Sequence, residues 1–166
     1  AGDGLDDVMV FGTTEGEIAI YQGTNPASDF GLAGVYYIGE PINKHAHLRI
    51  GANLAIVTED GIISVASAIQ SGDTAFLTSS LTSPIEDAWR DTIANRTTSY
   101  PITATLWPSQ SMMVVGTPNK LSGQPVAFVA NARTGAWCRY IGWDVRCAAV
   151  VGDTLYFGTN NGEVLE

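Results

Sequence analysis

Two pairs of closely spaced carboxylates, Glu15 with Glu17 and Glu59 with Asp60, are the first residues whose type and spacing could do chemistry. Two carboxyl groups about 5–9 Å apart across a sugar ring hydrolyse glycosides. All four flank short turns that end in Gly16 or Gly61, and turns collect acidic residues because these are solvated there and bond locally. They are read as turn residues. His45 and His47, two positions apart, would face one side of a strand and could share a metal. No third ligand lies near them in sequence, so surface histidines are the expectation. Asp3, Asp6 and Asp7 hold only fragments of a calcium loop, which needs alternating carboxylates, a central Gly and a closing Glu. Neither a Gly-x-Ser-x-Gly elbow, a Cys with a suitably placed His, nor a phosphate-cradling Gly-rich loop occurs. No catalytic, cofactor-binding or metal-binding residue is assigned, and the chain is read as a non-enzyme.

Cys138 and Cys147 are too few for a disulfide framework and do not form a C-x-x-C pair. Reduced, packed thiols are expected, with a disulfide as the alternative. Trp89, Trp107, Trp137 and Trp143 could line a sugar platform, but indoles also fill the space between sheets in β-proteins, and packing is favoured.

The elements that must position these residues come from a repeat. Asp7-Val8-Met9-Val10-Phe11-Gly12-Thr13-Thr14-Glu15-Gly16-Glu17-Ile18 aligns without a gap to Asp153-Thr154-Leu155-Tyr156-Phe157-Gly158-Thr159-Asn160-Asn161-Gly162-Glu163-Val164. A third copy runs from Asn53 to Ile62, and a shorter fourth from Ser111 to Thr117. Thr13, Thr58, Thr117 and Thr159 are the anchors, 45, 59 and 42 residues apart, and the long interval returns to 45 when the fourteen residues 83–96 are removed. Each unit has an apolar run, a polar Thr-x-x-Gly turn and another apolar run, the pattern of a β-hairpin. Repeat hairpins are placed at 7–21, 53–69, 111–131 and 153–166.

A second block repeats too, Ala33 to Gly39 matching Ala136 to Gly142 with Tyr-Ile-Gly kept. Alternation puts Val35 and Tyr37 on one face and Cys138 and Tyr140 on the equivalent face, which makes Cys138 a buried packing position. Together the blocks give four antiparallel strands in about 45 residues, a propeller blade. The fold class is therefore mostly β: one domain over 1–166, a β-propeller-like arc of about four four-stranded blades with one short inserted helix. Such sheets cannot bury both faces alone and must stack. An arc of a larger ring is favoured over an irregular sandwich.

The insertion, 83–96, reads as an amphipathic helix. Ser83 and Glu86 form a capping box, Pro84 suits the first helical position, and Ile85, Ala88, Trp89 and Ile93 share a stripe. Covering a sheet edge or face is the first expectation for it. Docking a partner through Trp89, Ile85 and Ile93 is the second.

The composition fits one ordinary domain: 166 residues, 45% hydrophobic and 15% charged. Eight Lys and Arg against seventeen Asp and Glu give a net charge of −9, which repels phosphates and anionic lipids. Sequence-specific nucleic-acid binding and membrane association are not expected. No apolar run approaches the roughly 20 residues that span a bilayer, and the start of the chain has neither the basic nor the apolar region of a signal peptide. The chain reads as soluble and untargeted, and as a portion of something longer, since it lacks an initiator Met and begins close to a strand.

The runs Asp7 to Gly23, Ser83 to Trp89 and Ala130 to Asp144 together resemble a family of phage and prophage virion proteins, the β-propeller proteins of the tail tube, nozzle and packaged-DNA stabilisation group of short-tailed phages. The resemblance covers most of the chain. It implies a non-enzymatic structural role in the tail or head-to-tail conduit, in the virion after synthesis in the bacterial cytoplasm. The implied partners are copies of the chain and other virion proteins, with no cofactor. The alternative is a propeller that binds or cleaves a surface glycan during host attachment, which would need a cleft lined by Trp and paired carboxylates.

Overall fold

The computed structural model of the chain describes residues 7–25, 27–51, 53–71, 80–96 and 101–166. Asp3 and Asp6, the start of the weighed calcium loop, lie outside them. The protein is mostly β, built from four antiparallel sheets of three or four strands each. The first sheet holds β1 (Asp7–Gly12), β2 (Glu17–Gly23) and β3 (Gly31–Tyr37); the second holds β4 (His47–Ile50), β5 (Asn53–Thr58) and β6 (Gly61–Ser64). The third, with four strands, holds β7 (Thr103–Trp107), β8 (Met112–Leu121), β9 (Gln124–Asn131) and β10 (Trp137–Ile141); the fourth holds β11 (Cys147–Val151), β12 (Thr154–Gly158) and β13 (Val164–Leu165). Strands follow one another across each sheet in chain order, so every connection within a sheet is a hairpin or a short loop.

The sheets pack face to face in series, and side-chain alternation does the joining. On β5 and β6, Ile56 and Ile63 point to the first sheet, meeting Ile18, Ile20 and Ile38. Their neighbours Ala55, Val57 and Ile62 point to the third sheet, meeting Met113, Val115, Phe128 and Ala130. Val114, Ala127 and Val129, on the other face of the third sheet, meet Leu155 and Phe157 of the fourth and Val145 in the segment that enters it. The middle sheets are thus buried on both faces, which is why β5, β8 and β9 read as nearly continuous apolar runs rather than as alternating ones. The first strands of the last three sheets are neighbours: β4 lies against β7, and β7 against β11.

The repeated turn is the same structure at both ends of the chain. Thr13 N–H donates to Glu17 C=O at 2.8 Å and its hydroxyl accepts from Glu17 N–H at 3.1 Å; Thr159 and Glu163 make the same two bonds at 2.9 and 3.2 Å. Gly16 and Gly162 close the turns at φ of 91° and 80°, a region costly for other residues.

Three expectations are corrected. The third anchor is not a hairpin turn: Thr117 lies within β8, its hydroxyl donates to Val126 C=O, and β8 passes a bulge before turning at Ser122 and Gly123. Thr117-Pro118-Asn119-Lys120 has no Gly at the closing position, so the reversal moves to the next residues that tolerate positive φ. In the second sheet the strand placed out to 69 stops at Ser64, and α1 (Val65–Ser71) follows. Ser64 caps it, its hydroxyl accepting Ser67 N–H at 3.2 Å, while Asn53 Oδ1 accepts Ala66 N–H at 3.3 Å. No fourth strand extends that sheet among the described residues. Instead Leu81 N–H donates to Ile62 C=O and Thr82 Oγ1 accepts Ile62 N–H, shielding the edge of β6.

The third correction concerns the inserted helix. Ser83–Ile85 form a single 3-10 turn and α2 runs Glu86–Ala94, with no side-chain cap at either start. Ile85 N–H bonds back three residues to Thr82 C=O, so the chain is wound too tightly at Ser83 for its hydroxyl to cap Glu86. Glu86 pairs with Arg90 instead, at 2.6 Å.

Candidate functional site

The 3-10 turn and α2 together carry Ile85, Trp89 and Ile93, and the fold turns that stripe inward. Trp89 is 2% exposed in the cluster between the second and third sheets, with Ile85 and Ile93 packed against it. Its indole N–H donates to Glu59 C=O at 3.0 Å. Its ring is covered by the chain's own sheets, so no free indole face is left for a partner. The outward side of the helix shows Glu86, Asp87, Arg90 and Asp91. An amphipathic stripe reveals which side of a helix is apolar, not what covers that side.

The other indoles are used in the same way. Trp107 Nε1 donates to Asp153 C=O at 2.8 Å and Trp137 Nε1 to Leu81 C=O at 2.9 Å, each joining one element to the next. Trp143 stacks on Phe157 and meets Tyr140 edge to face. Trp89 is buried and the other three are half-buried.

The carboxylate pairs are separated in role. Glu15 and Glu17 are exposed around the first turn, while Glu59 pairs with Arg96 and Asp60 sits beside Gly39. A groove of about 480 Å³ beside α2 is lined by Glu59, Asp60, Thr82, Glu86 and the buried Trp89. It gathers acids beside a single, buried indole. Asp144, next to Trp143, is tied to Arg146 at 2.6 Å and accepts Asn160 N–H at 3.0 Å. His45 and His47 are both exposed, His45 in the turn before β4, and no group of three metal-ligating side chains is found among the described residues.

Both thiols are free. Cys138 shares its face with Tyr140, as alternation predicts, yet it is exposed rather than buried because β10 is the outermost strand of its sheet. Asp29 closes the loop between β2 and β3: its carboxylate accepts from Thr24 Oγ1 and Asn25 N–H, both at 2.6 Å. Those bonds hold the Asp29 carboxyl below the usual carboxylate range, the Thr24 hydroxyl contributing most.

The sequence reading missed two larger surfaces. The outward face of the first sheet exposes Met9, Phe11, Leu32, Val35 and Tyr37, each between 46% and 54% exposed. The outward face of the fourth exposes Ala149, Val151, Tyr156 and Val164. The remaining uncovered large apolar side chains among the described residues do not form a comparable sheet face. Apolar faces of this extent mark interaction sites. The signal was present in Val8 to Phe11 and Cys147 to Val151, runs apolar at every position and so on both faces of their strands, but such a run does not say which face is covered.

Fold and surfaces together define a class: a mostly β protein of serially stacked antiparallel sheets that ends in two uncovered apolar faces. In comparisons with known proteins, no family model and no curated protein matches the chain.

Proposed function

We propose that this chain is a non-enzymatic virion structural protein of the tail or head-to-tail conduit, and that its sheets are successive blades of a propeller-like arc. The observation that carries the reading is the order of packing. Successive sheets stack face to face, with the first strands β4, β7 and β11 side by side, as strands lining a common axis are. The virion setting rests on the family resemblance of the runs 7–23, 83–89 and 130–144. Two further features support an assembly role. Apolar sheet faces stand ready for contact, and the net charge of −9 lets DNA pass without being held.

Immunogold electron microscopy tests this. An antibody against the chain is applied to particles induced from the bacterium that encodes it, and gold is expected at the tail end of short-tailed particles. Purified particles that carry no gold and no peptide of this chain by mass spectrometry would refute the proposal.

A further inference from the structure

The four sheets place equivalent residues on equivalent faces. Aligned on Thr13, Thr58, Thr117 and Thr159, the pairs Met9/Phe11, Leu54/Ile56, Met113/Val115 and Leu155/Phe157 occupy the same two positions of the repeat. In the last three pairs these side chains point toward the preceding sheet and pack against it. Met9 and Phe11 make the same face, with no sheet before it among the described residues. The position between the two members of each pair, filled by Val10, Ala55, Val114 and Tyr156, points the other way. Val10, Ala55 and Val114 meet the following sheet, whereas Tyr156 lies on an open face with Ala149, Val151 and Val164.

The two open faces are thus the two halves of a junction that the protein already makes three times. We infer that they bind each other between copies: the fourth sheet of one chain docks head-to-tail on the first sheet of a second. The occupant is a second copy because each face has the orientation and residue types that the other supplies at the internal junctions. Such a contact is heterologous, joining two different surfaces, and it leaves one free face at each end of any open assembly. The inference rests on the assembly reading above and names its contact.

The test uses two single variants, Phe11→Lys on the first face and Tyr156→Lys on the second, followed by sedimentation velocity over a range of concentrations. Both side chains are exposed, 53% and 36%, so the fold is expected to hold, which circular dichroism checks. Met9→Lys and Val151→Lys replace either variant that fails to fold. The wild type is expected to associate with rising concentration. Each variant alone should associate at least about 100-fold more weakly, because a lysine ammonium would lie unpaired in an apolar contact. Mixed together, the two variants should form dimers and nothing larger, since each retains the one face the other needs. A second readout is the thiol of Cys147, which lies on the open face of the fourth sheet, opposite to Ala148 and Val150. Its alkylation should slow on association, while that of Cys138 does not.

A wild type that stays monomeric overturns the inference. So does either variant that still dimerises alone, which would show a symmetric contact of one face with itself. Dimers in the mixture together with gold-free particles would refute the virion role and leave the contact standing.

Discussion

An alanine in place of Gly116 would set its methyl carbon 2.1 Å from the carbonyl oxygen of Val145 and 3.0 Å from the Thr103 methyl. Carbon needs about 3.5 Å, so β8 and the segment entering β11 would have to separate by more than about 1 Å. The obstacle on one side is backbone, which cannot swing away as a side chain could. Overpacking a tight core costs about 1–3 kcal/mol, and this contact belongs at the upper end. For a chain of this length, a loss of about 3 kcal/mol lowers Tm by about 6–12 °C. Gly12 is the internal control, for it occupies the same repeat position before Thr13. There an added methyl meets only Ile18 Cγ2 at 3.9 Å, so Gly12→Ala should be neutral or should stabilise by about 0.5 kcal/mol through the restricted unfolded chain. Urea unfolding followed by circular dichroism measures both, with unchanged m values as the sign that only stability has moved. If Gly116→Ala unfolds within about 0.5 kcal/mol of the wild type, the close approach of the third and fourth sheets is wrong. Equal losses for the two variants would show that the glycines serve the strands and not the junction.

Other expectations can be checked with the same preparations. Trp89→Phe keeps a ring in the core but removes the donor to Glu59 C=O, and should cost about 1–2 kcal/mol in urea unfolding, against about 3–5 for Trp89→Ala; equal costs would show that the packing of the ring contributes nothing beyond the hydrogen bond. The half-exposed pair of Glu59 and Arg96 should contribute less than about 1 kcal/mol in a double-mutant cycle. Because the Asp29 carboxyl is lowered in the folded protein, its bonds to Thr24 and Asn25 stabilise the loop above its unfolded pKa and are lost as pH falls through the lower folded value. Carboxyl NMR should therefore show Asp29 titrating below ordinary aspartates, and Thr24→Ala should move it upward.

The Thr-x-x-Gly-Glu turns were legible because local hydrogen bonds fix them, and the same residues give the same bonds at Thr13 and Thr159. Thr117 looked equivalent in an alignment of apolar runs, but the hairpin needs a residue tolerant of positive φ at a fixed place, and Gly123 comes later. The helix α1 was hidden in a Val- and Ile-rich stretch that reads as strand. Its local signal was Ser64 as a cap before Ala66 and Ala68, outweighed by the strand that runs into it. Burial of Cys138 failed for a different reason: period-two alternation assigns a face, while the depth of cover depends on where the strand lies in the sheet. The same gap hid the open faces of the first and fourth sheets, since cover is decided by the order of stacking and not by any one strand.

The placement of the tryptophans has an optical consequence. Trp89 and Trp137 belong to the junction of the second and third sheets, and Trp107 and Trp143 to that of the third and fourth. The junction of the first and second sheets contains no indole among its packed residues. Tryptophan emission is therefore a gauge of three sheets and blind to the remaining one. In a serial stack, where each layer leans chiefly on its neighbours, the first sheet can peel away while the emission stays native. A melting curve read by fluorescence alone would overstate how cooperative this protein is, and hydrogen exchange at Ile18 and Ile20 would show the earlier step.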